Sequence, residues 1–259
     1  MNSNNQPIGI FDSGVGGTSI WSAVHELLPN EQTIYLADSK NAPYGQKPKK
    51  DIIALSMKNT DYLLNLNCKL IVVACNTATT NAIQELRERY TVPFIGIEPA
   101  IKPAVTNSKT QVIGILATQG TLNSDLFHST VAKYKNTKII EQVGHGLVPL
   151  IENGAINSPD MAALLLSYIT PMIAANIDYL VLGCSHYPYL IPQIKKILPA
   201  HIQIIDSGQA VARQTQFVLQ DKVGLSDLYK PEPIFYTNTN TRVLQEIIGA
   251  QFKVSAKNF

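Results

Sequence analysis

The chain has 259 residues, of which 45% are apolar and 15% charged, with a formal net charge of +2. That length allows one large or two modest domains with full cores, and that composition excludes a disordered chain. The charge is too small to argue for nucleic acid or an anionic membrane, and the short basic run Lys47, Lys49, Lys50 reads as a solvated loop.

Short apolar runs alternate with longer helical patterns, which predicts an α/β architecture with mainly parallel strands. In chain order, strands are expected at 8–11, 33–37, 70–74 and 94–97, then at 112–116, 138–141, 179–183 and 202–205. Helical patterns follow most of them, for example at 18–28, 52–66, 81–90 and 161–174. The runs 70–74 and 179–183 are apolar throughout, as in strands covered on both faces. No apolar stretch reaches the roughly 20 residues that span a bilayer. Residues 1–6 are polar and lack the apolar core of an export signal, so the cytoplasm is the default location.

An internal repeat organises these elements. Ile8-Gly9-Ile10 recurs as Ile113-Gly114-Ile115, displaced by 105 residues. Ile71-Val72-Val73-Ala74-Cys75-Asn76-Thr77 matches Leu180-Val181-Leu182-Gly183-Cys184-Ser185-His186, displaced by 109. Both matches occur in order, with a cysteine in register at a strand end. The expected fold is two similar parallel-sheet α/β domains related by a pseudo-two-fold, with the active site in the cleft between them. The chain crosses near 97–103, where Pro99 and Pro103 punctuate it, and returns near 206–208. The first domain is then 1–98 plus 207–259, and the second 99–206.

In open parallel sheets ligands bind beyond the carboxyl ends of the strands. Asp12, Ser13, Cys75, Asn76, Thr118, Cys184 and Ser185 all follow predicted strands, so facing domains would direct two thiols into one cleft. Racemisation needs such a pair, one acid/base group for each face of a carbon. Thiols can fill both roles, and a helix opening after each would favour thiolate. Buried inert cysteines, a redox dithiol and a single nucleophile with a spare are the competing readings. The repeat favours the two-base pair over the first, and no Cys-x-x-Cys supports the second. Three cysteines without an export signal argue against a disulfide framework. Only Cys184 and His186 are closely spaced as ligands, so no metal is expected. Cys68 precedes a strand at the far end from the proposed site and reads as structural.

The segments Asp12-Ser13-Gly14-Val15-Gly16-Gly17, Ala42-Pro43-Tyr44-Gly45, Ala74-Cys75-Asn76-Thr77-Ala78, Ala117-Thr118-Gln119-Gly120-Thr121, Gly183-Cys184-Ser185-His186-Tyr187-Pro188 and Asp206-Ser207-Gly208 occur in that order. Together they resemble the glutamate racemase family, within the wider aspartate/glutamate racemase superfamily. The resemblance implies an isomerase that interconverts L- and D-glutamate without pyridoxal phosphate or any other cofactor, and feeds D-glutamate to peptidoglycan. It implies that Cys75 acts on the D-enantiomer and Cys184 on the L-enantiomer, with Asp12 beside the first and His186 beside the second. Glu152 falls where the family carries an acidic residue that assists the second thiol. Asp12, Ser13, Pro43, Tyr44, Gly45, Asn76, Thr77, Thr118, Thr121, Ser185 and His186 would contact the substrate.

Each residue also has a plainer reading. Asp12 and Ser13 before glycines can simply build a turn, Pro43-Tyr44-Gly45 can be only a turn, and Glu152 can face solvent. The family usually has threonine where this chain has Ser185. Rival functions are an aspartate or hydantoin racemase of the same superfamily and a non-catalytic protein that binds a small carboxylate. No nucleic acid or membrane partner is expected, and the likeness allows a homodimer.

Overall fold

Two parallel sheets carry the fold of the computed structural model, which describes residues 3–259; residues 1 and 2 of the polar N-terminal segment lie outside the described residues. The strands are β1 (Ile8–Asp12), β2 (Thr33–Ala37), β3 (Leu70–Val73), β4 (Phe94–Gly96), β5 (Val112–Ala117), β6 (Lys138–Val143), β7 (Tyr179–Gly183), β8 (Gln203–Ile205), β9 (Ile234–Thr237) and β10 (Val254–Ala256). The first sheet runs β10-β9-β2-β1-β3-β4 and the second β6-β5-β7-β8. Four strands of the first sheet, β2-β1-β3-β4, thus repeat the order of the whole second sheet. The repeat in sequence is a repeat in topology: Ile8-Gly9-Ile10 lies in central β1 and Ile113-Gly114-Ile115 in central β5. Cys75 and Cys184 follow the equivalent strands β3 and β7.

All eight expected strands are present, with ends shifted by a residue or two. The tail adds two more, β9 against β2 and β10 against β9, both parallel. Before them, helix Gly208–Val218 packs on helix Thr18–Leu27 of the first sheet's layer. The two connections between the sheets touch, because Ser207 Oγ donates to the Glu98 carbonyl. Among the described residues no helix is long and apolar enough to cross a membrane.

Helix Asn76–Arg89 begins earlier than periodicity predicts. Its first turn holds an asparagine and two threonines, poor helix formers that hide the signal, but Cys75 caps it by accepting the Ala78 N–H at 3.4 Å. No such helix opens directly after Cys184. The chain instead forms a 3₁₀ turn at Tyr187–Leu190, with Pro188 in its first turn, before helix Ile191–Ile197.

One apolar cluster runs from Ile8, Ile10 and Val72 to Leu147, Leu182 and Leu190, so residues of both sheets share it. Two satellite clusters cover the other faces, around Phe11 and Ile71 in the first sheet and around Ile113 and Val181 in the second. Cys68 is a buried core thiol, and burial pushes it up to about 12, out of reach of acid/base work near neutrality. The tail is anchored by Phe235, fully buried, whose ring meets Trp21 edge-on at 4.7 Å. Trp21 is the chain's single tryptophan and reports on this packing. Phe235→Ala is expected to cost about 3–5 kcal/mol, read as a shift of the urea midpoint in Trp21 fluorescence; a shift worth under about 1 kcal/mol would show that the tail is not part of the core.

Candidate active site

Each chemical group of the site stands at a strand end or at the end of a short helix. Asp12 closes β1 with its carboxylate fully buried. The turn after it wraps back, so that Gly14 N–H and Gly17 N–H donate to Asp12 Oδ2 at 3.2 and 3.0 Å. Tyr35, from β2, donates to the Gly14 carbonyl at 2.8 Å and fixes the turn from the other side. Gly16 is required by contact: a Cβ there would lie 2.2 Å from His186 Nδ1. Glu152 ends helix Leu147–Glu152, which Gly146 starts in the left-handed region at φ +80°.

These groups meet across the two sheets around His186. Its Nε2 lies 2.6 Å from Glu152 Oε1, and its Nδ1 lies 3.3 Å from Ser185 Oγ, 3.8 Å from Cys184 Sγ and 3.9 Å from Asp12 Oδ2. Burial works against a cationic ring. The hydrogen bonds to Cys184 and Glu152 and the Asp12 charge outweigh it and hold His186 well above the usual imidazole range. Burial likewise opposes the Glu152 anion, but His186, the Val15 N–H at 2.7 Å and the Ser39 hydroxyl at 2.8 Å hold it below its ordinary value. Burial is decisive for Asp12, whose carboxyl stays above its ordinary value despite His186, Gly17 and the Ser185 hydroxyl donating at 3.0 Å.

Cys75 is buried on the opposite half. Burial pushes its thiol well up, the Asp12 and Cys184 charges push the same way, and the Ala78 N–H and Ser13 hydroxyl pull less strongly against them. Beside it the Asn76 amide is 2% exposed, with neither its oxygen nor its nitrogen hydrogen-bonded. A buried amide without partners is costly. Thr77 and Thr118 bridge the halves at 2.8 Å, with Thr121 at 3.0 Å from Thr118. Pro43 lines a cleft of 270 Å³ with Val15, Ser39, Val148 and Glu152, and neither cysteine reaches its walls. A Cβ on Gly45 would lie 2.7 Å from Thr118 Cβ, so this loop abuts the threonine group.

The structure therefore brings Asp12, Ser13, Cys75, Asn76, Cys184, Ser185, His186 and Glu152 together, with the threonines and the 43–45 loop at the rim. Within this loop the Tyr44 hydroxyl donates to buried Asp38 and accepts from Asn59 at 3.1 Å, and Tyr44 belongs to the same buried cluster as Cys75. Sequence reading missed Ser39 and Val15, which receive Glu152, and Tyr189, whose hydroxyl lies 2.5 Å from Thr18 Oγ1 across the sheets. Nothing local marks these residues, because each partner is more than 100 positions away. Among the described residues no three His, Cys, Asp or Glu side chains converge as metal ligands.

The family model described as Asp/Glu/Hydantoin racemase matches residues 16–215. A curated glutamate racemase from Ralstonia nicotianae is 47% identical over 245 residues, covering 94% of this chain and 88% of its own. A solved glutamate racemase isoform from Bacillus anthracis superposes with a TM-score of 0.88 at 29% identity, covering 98% of both chains. The Escherichia coli glutamate racemase, solved with L-glutamate and the activator UDP-MurNAc-Ala, gives 0.86 at 30% identity over 97% of both. With a buried two-thiol site at matching strand ends and relatives of this identity along nearly its whole length, the chain belongs to the Asp/Glu/Hydantoin racemase family and is an amino-acid racemase, an isomerase.

Proposed function

We propose that the protein interconverts L- and D-glutamate by a cofactor-independent two-base mechanism, with domains 1–98 plus 207–259 and 99–206 closing on the substrate. The observation that carries this reading is the pairing of Cys75 with Asp12 and of Cys184 with His186 at equivalent strand ends of the two sheets. The substrate follows from the curated relatives, and L-glutamate is the ligand named with the Escherichia coli structure.

In this reading the two faces of Cα meet different thiols. Cys75 is held as a thiol by its burial and by Asp12, ready to give a proton. Cys184 faces a cationic imidazole, the counter-charge that a thiolate needs, and takes a proton from the L-enantiomer. The reverse direction starts from Cys75 as base. The start of helix Asn76–Arg89, at the positive end of its dipole, and the unpartnered Asn76 amide receive the α-carboxylate; Ser13, Thr77, Thr118 and Thr121 complete the polar wall. Glu152 positions His186 and, through Val15 and Ser39, ties its protonation to closure of the cleft. The product D-glutamate supplies peptidoglycan, and so cell-wall biogenesis and cell shape, from the cytoplasm.

The experiment is racemisation of each enantiomer in deuterated water without added cofactor, followed by circular dichroism and mass. Wild type is expected to lose optical activity with one solvent deuteron at Cα. Cys75→Ala and Cys184→Ala each lower the rate by about 10²–10⁴-fold or more. Turnover that survives either substitution refutes the mechanism, and turnover of aspartate or a hydantoin alone refutes the substrate.

The pH dependence has a definite sign. His186 lies above its ordinary 6.5, so the stability it adds is complete below that value and lost as pH rises through the folded value. Glu152 lies below its ordinary 4.5, so its contribution is complete above that value and lost as pH falls through the folded value. The His186–Glu152 pair is therefore intact across the whole interval between them. Glu152→Gln, of equal volume, is expected to lower the His186 value, read from the imidazole Cε1–H resonance by NMR titration. An unmoved resonance would remove Glu152 from this role.

A further inference from the structure

Ser185 stands where the two halves of the site join. Its hydroxyl donates to Asp12 Oδ1 at 3.0 Å and lies 3.3 Å from His186 Nδ1. The same Nδ1 lies 3.8 Å from Cys184 Sγ. Asp12 and His186 are themselves 3.9 Å apart, beyond hydrogen-bonding distance, so the serine is the bridge between them. Cys184, His186, Ser185 and Asp12 form an unbroken polar run in which every side chain is buried, and Asp12 acts electrostatically on Cys75 at its far end.

A two-thiol racemase finishes each turnover in the wrong state for the next. When L-substrate has become D, Cys184 has gained a proton and Cys75 has lost one. Before a second L-substrate can react, one proton must travel from Cys184 to Cys75. Both cysteines are nearly sealed from solvent, Cys184 at 5% and Cys75 at 4% exposure.

We propose that Ser185 is the central link of an internal proton-return path that resets the thiol pair between turnovers. The proposal rests on the two-base reading above. His186 Nδ1 gives its proton to Ser185 Oγ as the serine's own proton passes to Asp12 Oδ1. Asp12 delivers that proton to the Cys75 sulfur, and the Cys184 S–H bond breaks to restore Nδ1–H. One S–H bond is lost at Cys184 and one is formed at Cys75; every intermediate carrier is returned to its starting state, and no electrons change hands. A hydroxyl suits the centre because it donates and accepts at once. The carboxyl of Asp12 lies above its ordinary value, which fits a group that holds a proton in transit.

The return occurs on the free enzyme, so it limits turnover only when substrate is abundant. Ser185→Ala, checked for folding by circular dichroism, is expected to lower kcat at least about tenfold while kcat/KM changes by less than about threefold. Raising the concentration of imidazole buffer restores kcat by supplying an outside proton carrier. Ser185→Thr keeps the hydroxyl and stays within about twofold of wild type in both constants. A fall of kcat and kcat/KM together, insensitive to imidazole, would overturn the relay and leave Ser185 only orienting Asp12. Kinetics of Ser185→Ala equal to wild type would overturn it outright. Wild type that turns over neither enantiomer of glutamate would defeat the substrate reading and the relay together, whereas an active wild type confines any failure to the relay.

Discussion

A cationic ring at 1% exposure is the condition on which this site is built. An isolated buried charge is costly enough that the group would normally give up its proton. The protonated form of His186 is favoured because Glu152 meets one nitrogen at 2.6 Å, while Cys184, Ser185 and Asp12 crowd the other. None of these partners works unless both halves of the molecule are in place. Glu152 comes from the layer of the second sheet yet binds Val15 and Ser39 of the first, and Asp12 reaches His186 from β1. The contacts that favour the protonated ring are thus also contacts between the two halves. Separating the sheets would strip the imidazolium of its counter-charges.

The symmetry of the scaffold does not extend to its electrostatics. Equivalent strands deliver equivalent thiols, but one meets a carboxylate and a helix start, and the other meets an imidazole and a 3₁₀ turn. The proposed two-base mechanism asks for this inequality, since its two groups must hold opposite protonation states at any moment. Ser185 is where the unequal halves touch. Its hydroxyl faces Asp12 on one half and His186 on the other.

What could be read from the chain and what could not follow from the range of each signal. β3 and β7 were legible because both faces are covered, leaving uninterrupted apolar runs. The cysteines were legible because the repeat set them in register. β9 and β10 were not, being three or four residues long with no counterpart in the second half. Helix Asn76–Arg89 was shortened in the reading because its start rests on a sulfur cap instead of on propensity. The Tyr44 motif was legible, but its hydrogen bonds to Asp38 and Asn59 were not, since a motif names a residue and not its partners. Glu152 was recognised, but its partners were not, since a contact spanning 137 positions leaves no local period.

The tail strands also impose an order in time. The second sheet is contiguous, from Val112 to Ile205, and all its strands are available once that stretch has been synthesised. The first sheet begins earlier in the chain but is completed by residues 234–256, which emerge after the whole second sheet. Until then the outer edge of β2 is an open parallel edge, the kind of surface that pairs with other chains. The half that starts first is therefore completed after the other, and its vulnerability to misassembly lasts through the synthesis of the entire second sheet.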